Sequence, residues 1–329
     1  MIELRGQKAL VFSFPEVHPQ AQLTVTFVRT LRVPDDGHTY PLPPGLGLFP
    51  LRHLDDHAGA VPQSWLTSGG VMLPMYQSEA LWLYFTSAYI PNQESYPFAL
   101  KVAAGKINAL TGEPWSHPLQ GQPQDYLVVP PQPWLDGFAV GPGLVRQFVA
   151  MPLGSGCSAE EQITGRAEVG GIQLMVYPMK RSVFEERFPQ QEGVCDMVRC
   201  CSVGEGMGLS PGGKLKQQIF ADPFELDDWD TEHSGCFAHI VNSRSWLEFT
   251  GQLPPHPPIT AQEYNEHGFP WFDYYRDELA ELMGSQQLAR LKSLVQMMAD
   301  KSQVLPYNQT IEPRRVVRVL KEMVREGEF

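Results

Sequence analysis

The sequence predicts a mainly β protein, sandwich or barrel-like, with a helical C-terminal region and so α+β overall. Three observations lead there. The chain carries 30 prolines and 29 glycines in 329 residues, more than helices tolerate, because proline lacks the amide donor and its ring clashes inside a helix. Many short elements joined by ordered turns follow from that. Its apolar runs are short and β-branched and alternate with polar residues, the period-two pattern of a strand with one buried face. Finally, residues 124–178 place three strand-like runs, 126–129, 145–151 and 171–177, around a Pro/Gly-rich corner holding Trp134, Asp136 and Gly137. That stretch reads as the centre of the β core.

Taken in order, the first strands fall at residues 8–14 and 23–33. In the second, LTVTFVRTLRV, Leu23, Val25, Phe27, Leu31 and Val33 face one side. Residues 34–56 read as a long ordered loop, with Asp36-Gly37 as a turn and Pro43-Pro44-Gly45 barring regular structure; His38, His53 and His57 in and beside it read as solvated. Residues 71–75 and 80–85 form a hairpin around a Tyr76-Gln77-Ser78-Glu79 turn, and Trp82, Tyr84 and Phe85 serve sheet packing. A strand at 98–103 continues into 106–109, with Lys101 and Lys106 as surface charges.

From Met179 the pattern changes. Residues 206–220, GMGLSPGGKLKQQIF, imitate a phosphate-binding glycine loop, but Lys214 is followed by Leu215 where a P-loop needs Ser or Thr, so the glycines read as a turn feeding a strand at 214–220. DPFELDDWDTEH, residues 222–233, has six acids in twelve positions and reads as a solvated acidic loop. A strand at 237–241 leads to a short helix at 243–249. Thr260 and Glu263 have capping-box spacing for another helix, stopped by Gly268. Pro270, Trp271 and Phe272 anchor the tail, and Leu279, Leu282, Leu288, Leu291, Leu294 and Val295 carry amphipathic helical spacing. A terminal helix follows around Val316, Val317, Leu320 and Val324. These changes divide the chain into a β-rich domain at 1–180, a loop-rich β continuation packed on it at 181–250, and a helical region at 251–329.

Composition limits the partners. A formal net charge of −12 gives nucleic acid no electrostatic reason to bind. The apolar run at 9–14, interrupted by Ser13 and stopped by Pro15, is no secretory signal, and no window supplies the ~18 apolar residues a membrane span needs. Five cysteines without an export signal imply reduced thiols and a cytoplasmic protein.

Candidate chemistry is sparse. Arg146 and Gln147 sit in an otherwise apolar strand, and a partly buried Arg usually meets a carboxylate, for which Asp136 is nearest in sequence. Arg146, Asp136, Gln147 and Trp134 are therefore the candidate ligand-binding residues, with a structural Arg146–Asp136 ion pair as the plainer reading. His233, Cys236 and His239 offer N and S donors that would suit zinc. Strand alternation at 236–239 and the wide spacing of Cys195, Cys200 and Cys201 argue against a metal site, so no cofactor is expected. No nucleophile elbow is present, which leaves Cys157 and His239 as isolated reactive groups.

The segments RTLRVPDDGHTYPLPPGLG, GGVMLPMYQSEALWLYF, QDYLVVPPQPWLDG, VRQFVAMPLG and GFPWFDYY together resemble a family of uncharacterised bacterial proteins. The resemblance covers most of residues 25–280. It implies a shared fold and brings no activity, cofactor or catalytic residue. On these grounds a non-enzymatic binding or assembly protein is expected, with a protein partner or self-association as a homo-oligomer that covers its sheet edges. The alternative is an enzyme acting on a small polar molecule in a β-framed pocket near Arg146.

Overall fold

Strand alternation sets the architecture. In the strand Gln22–Thr30, Leu23, Val25 and Phe27 are fully buried, and beyond its end so are Leu31 and Val33. In the paired strand Ala80–Ser87, Leu81, Leu83 and Phe85 face the same way. Because the side-chain period is two, a one-residue slip would expose Leu23, Val25 and Phe27 together, at a cost of about 6 kcal/mol if each buried side chain stabilises by about 2. That is what pins the register.

The computed structural model describes residues 1–189, 207–276 and 278–319. Among them the larger sheet holds ten strands, whose main path runs Ile2–Arg5, Ala9–Ser13, Gln22–Thr30, Ala80–Ser87, Leu144–Met151, Gly208–Lys216 and Thr39–Tyr40. Gly45–Leu48, Trp134–Leu135 and Gly137–Gly141 attach to its flanks. A seven-stranded sheet runs Ile107–Asn108, Phe98–Ala104, Ile172–Pro178, Ser234–Asn242, Val71–Met75 and Arg52–His53, with Leu127–Val129 also on Phe98–Ala104. Leu23, Phe27 and Leu83 from the first sheet and Leu100, Val102 and Leu174 from the second belong to one apolar core, the mark of two sheets packed face to face. The protein is thus mainly β and α+β overall. No described helix is long and apolar enough to cross a membrane.

Several local expectations fail for physical reasons. Residues 71–75 and 80–87 do not form a hairpin: Val71–Met75 pairs in parallel with Ser234–Asn242 in one sheet, while Ala80–Ser87 lies in the other. The turn between them is a corner joining the sheets, with Ser78 at φ 65°. Lys101 is no surface charge. It is fully buried in a strand covered on both faces, and its ammonium is 2.6 Å from Asp125 and donates to the carbonyls of Ser116 and Pro118 at 2.8 and 2.7 Å, which uses all three donors. Lys106 is exposed as expected.

Gly208, Gly212 and Gly213 lie inside the strand Gly208–Lys216 and do not form a turn, while Gly206 lies outside the described residues. A Cβ at Gly212 would come within 2.4 Å of Val149 Cγ2, and one at Gly213 within 2.4 Å of the Pro34 carbonyl, so close packing against two neighbours is what glycine permits there.

In the C-terminal region the expected capping box forms: Thr260 accepts from the Glu263 amide and starts the helix Ala261–Glu266. The long amphipathic run is cut into Gln286–Ala289 and Leu294–Asp300, because Ser285 and Ser293 each cap a new helix and Gly284, at φ +68°, turns the chain against Gly141. Residues around Leu282 are extended and bond to Ile219. The terminal run begins as the strand Val316–Arg318, parallel to Trp271–Asp273; its remainder from Leu320 lies outside the described residues.

Candidate functional site

The chain leaves the seven-stranded sheet after Leu127–Val129 and joins the larger sheet at Trp134–Leu135; past Asp136, Gly137 pairs with Gln147 and Phe138 with Arg146. Gln147 is wholly buried and acts as a clamp: its Nε2 donates to the Leu31 carbonyl at 2.8 Å and its Oε1 accepts from the Val33 amide at 3.0 Å. Trp134 is half-buried, edge-on to Trp82 and against Tyr274. The ion pair expected between Asp136 and Arg146 does not form. Asp136 sits across from Phe148, two pairs beyond the Phe138–Arg146 step. Its carboxyl is buried with Oδ2 unpartnered, and burial pushes it up to about 7, opposed by a hydrogen bond from the Trp134 side chain. Arg146 leaves Nη1 unpartnered; burial lowers its pKa, and the charge that pulls against that is Asp35. Neither described cavity is lined by any of these four residues.

The donor groups considered for zinc are also separated. His239 is buried between the rings of Phe237 and Trp65, at centroid distances of 4.0 and 4.7 Å. Its Nε2 lies 3.1 Å from the Gly69 carbonyl; a carbonyl only accepts, so that nitrogen carries the proton. Burial lowers the imidazole to about 4, which keeps it neutral. His233 instead stacks on Tyr177, with His117 at its edge. The Cys236 thiol is pushed up to about 12 by desolvation, far from the thiolate that zinc needs. Among the described residues no three His, Cys, Asp or Glu side chains gather as a metal site, and Cys195, Cys200 and Cys201 lie outside those residues. Cys157 is buried, with Sγ 3.4 Å from Lys301 Nζ.

A different set of residues builds a cleft. At the corner between the sheets, Glu79 is buried and accepts from Arg29 Nε at 2.7 Å and from the Tyr76 amide at 2.8 Å. Burial raises the Glu79 pKa, and Arg29 pulls against it. Two bonds then draw the proline-rich segment at 254–260 over this corner: Arg29 Nη2 to the His256 carbonyl at 2.7 Å and the Tyr76 hydroxyl to the Pro255 carbonyl at 2.8 Å. The opposite wall follows the helix Leu294–Asp300, whose Val295 amide donates to Asp35 at 2.9 Å. Arg32 holds that wall, with Nη2 donating to the Pro306 and Tyr307 carbonyls at 2.5 and 3.1 Å and Nη1 to Asn308 Oδ1 at 3.2 Å.

Between the walls lies a cavity of about 690 Å³, lined by Arg32, Tyr76, Glu79, Ile259, Met298 and Tyr307 among others. From the sequence, Arg146 is the strand arginine that stands out as partly buried. The same signal stands at Arg29 and Arg32 in the strand-like run 23–33, and it was the one that led to a cavity.

Comparison of the chain with protein-family models, with curated proteins and with solved structures finds no match. The cleft is therefore read from its own chemistry.

Proposed function

We propose that this is a non-enzymatic binding protein and that its site is the cleft between residues 76–79, the proline-rich segment and residues 298–307. The observation that carries the reading is the cavity itself. At about 690 Å³ it falls in the range of roughly 300–1,000 Å³ that small-molecule sites occupy, and apolar walls with a few fixed polar groups are the usual lining of such sites. Pro257, Ile259, Met298 and Val304 supply the apolar surface. The polar groups serve to hold shape: Glu79 is committed to Arg29 and the Tyr76 amide, and the Tyr76 hydroxyl to the Pro255 carbonyl. Burial raises the Tyr76 pKa, so its hydroxyl remains a donor at neutral pH.

The test compares small molecules released by denaturation from the wild-type protein and from an Ile259→Asp variant, both purified from cells. A compound retained by the wild type and missing from the variant supports the reading; identical contents contradict it.

A second reading, association with another protein, draws on the cleft rim, where Val304 is 87% and Tyr307 70% exposed. Exposed apolar residues grouped beside a groove mark interaction surfaces. Sedimentation of the wild type against a Val304→Lys, Tyr307→Ser variant separates the two, since a rim used for self-association loses mass on substitution.

A further inference from the structure

Resting on the cleft as a binding site, we infer that its occupant is a small monocarboxylate with an apolar body, and that Arg32 receives the carboxylate. The argument begins with charge. Glu79 lies against Arg29, so that pair is neutral, and Arg32 is left as the unbalanced charge of the lining. Among the described residues no carboxylate lies within 4.0 Å of the Arg32 guanidinium; its partners are two backbone carbonyls and the Asn308 amide oxygen. Burial lowers Arg32 to about 10, with Asp35 pulling it back up, so at neutral pH it is still a cation. A partly desolvated cation held only by neutral acceptors gains from an anion brought by a ligand.

The donor inventory agrees. Guanidinium has five N–H donors. Nη2 spends both on Pro306 and Tyr307, and Nη1 spends one on Asn308, which leaves Nε–H and one Nη1–H for the occupant. Charge-assisted bonds from such donors to a carboxylate are about twice as strong as neutral ones. Elsewhere the lining mixes the apolar Ile259, Met298 and Val304 with the uncharged polar Gln77, Thr260 and Gln303; the former suit an alkyl or aryl body, and none of them supplies a charge to recognise a second one. The chain as a whole is acidic, with a net charge of −12, so a cationic spot in this cleft is a local feature and not part of a basic surface.

Isothermal titration with two matched probes, 4-phenylbutyrate and its neutral primary amide, tests this on the full-length protein. The expected result is that the acid binds at least about tenfold more tightly than the amide. In Arg32→Gln that preference disappears. If acid and amide bind the wild type equally, the carboxylate inference falls while the cleft remains a binding site. Should neither bind at millimolar concentration, the cleft reading falls and takes this inference with it. A preference that survives in Arg32→Gln also overturns the assignment, since another group would then hold the charge. Arg32 braces the 306–308 wall, so Arg32→Lys is measured alongside: it keeps the cation, and the acid preference should persist in it even if Arg32→Gln is unfolded.

Discussion

Two regions of the molecule each set an arginine on a strand and a carboxylate just outside one, and they resolve the pairing problem in opposite ways. At the corner between the sheets, Arg29 and Glu79 are 50 residues apart in sequence yet in direct contact, 2.6 Å between charged atoms. At the 134–137 corner, Asp136 and Arg146 are only ten positions apart and leave Asp136 Oδ2 and Arg146 Nη1 without partners. Strand pairing explains the difference. Arg29 and Leu81 are opposite each other in adjacent strands, so Glu79 is delivered to Arg29 by the turn that precedes its strand. Asp136, by contrast, is carried past Arg146 to the level of Phe148. Where the pair forms, a wall is tied down and a cavity results; where it fails, the protein holds a carboxyl that is easiest to bury uncharged.

The comparison breaks most visibly at Arg29. Arg29→Met leaves Glu79 buried without its counter-charge, and loss of one partner from a buried pair costs about 3–5 kcal/mol. Urea unfolding at pH 7 should show that loss, and because the His256 carbonyl loses its donor too, amide exchange across residues 254–260 should accelerate. An unchanged midpoint would mean that the pair contributes nothing.

At the other corner the sign reverses. The folded protein keeps Asp136 protonated up to about pH 7, whereas the unfolded chain releases that proton near pH 4. Between those values the native state binds more protons, so this group lowers stability progressively as pH rises, with the full effect above pH 7. Asp136→Asn should therefore stabilise the protein at pH 8 by about 2–4 kcal/mol, and by almost nothing near pH 4. A benefit independent of pH would show that the carboxyl is not held neutral.

The smallest effect sharpens the comparison at the cleft edge. Thr260→Ala removes the cap of Ala261–Glu266 and should cost about 1 kcal/mol. Faster amide exchange confined to residues 260–266 is the expected signature, with the 134–137 corner untouched.

What the sequence disclosed follows the range of each interaction. The inward face of residues 23–33 was legible because alternation is local, and so was the Thr260–Glu263 capping box, an i to i+3 contact. Lys101 was misread because Asp125, its partner, arrives 24 residues later on a separate segment. The supposed 71–85 hairpin was misread because a four-residue turn looks the same whether it joins neighbours in one sheet or a corner between two. The C-terminal leucines kept helical spacing, yet Ser285 and Ser293 were able to start new helices within it. The cleft was the least visible feature of all, since the bond from Arg29 to His256 spans 227 residues and no local pattern announces it.

The most direct test of the cleft as the binding site is crystallographic soaking with a set of small fragments, acids and neutral amides together, each refined to see where it settles. The account predicts that apolar bodies collect between Tyr76, Ile259 and Tyr307, with acids turned toward Arg32. Fragments that ignore this cavity and gather beside Asp136 and Arg146 would contradict it and return the search to the corner that the sequence first pointed to.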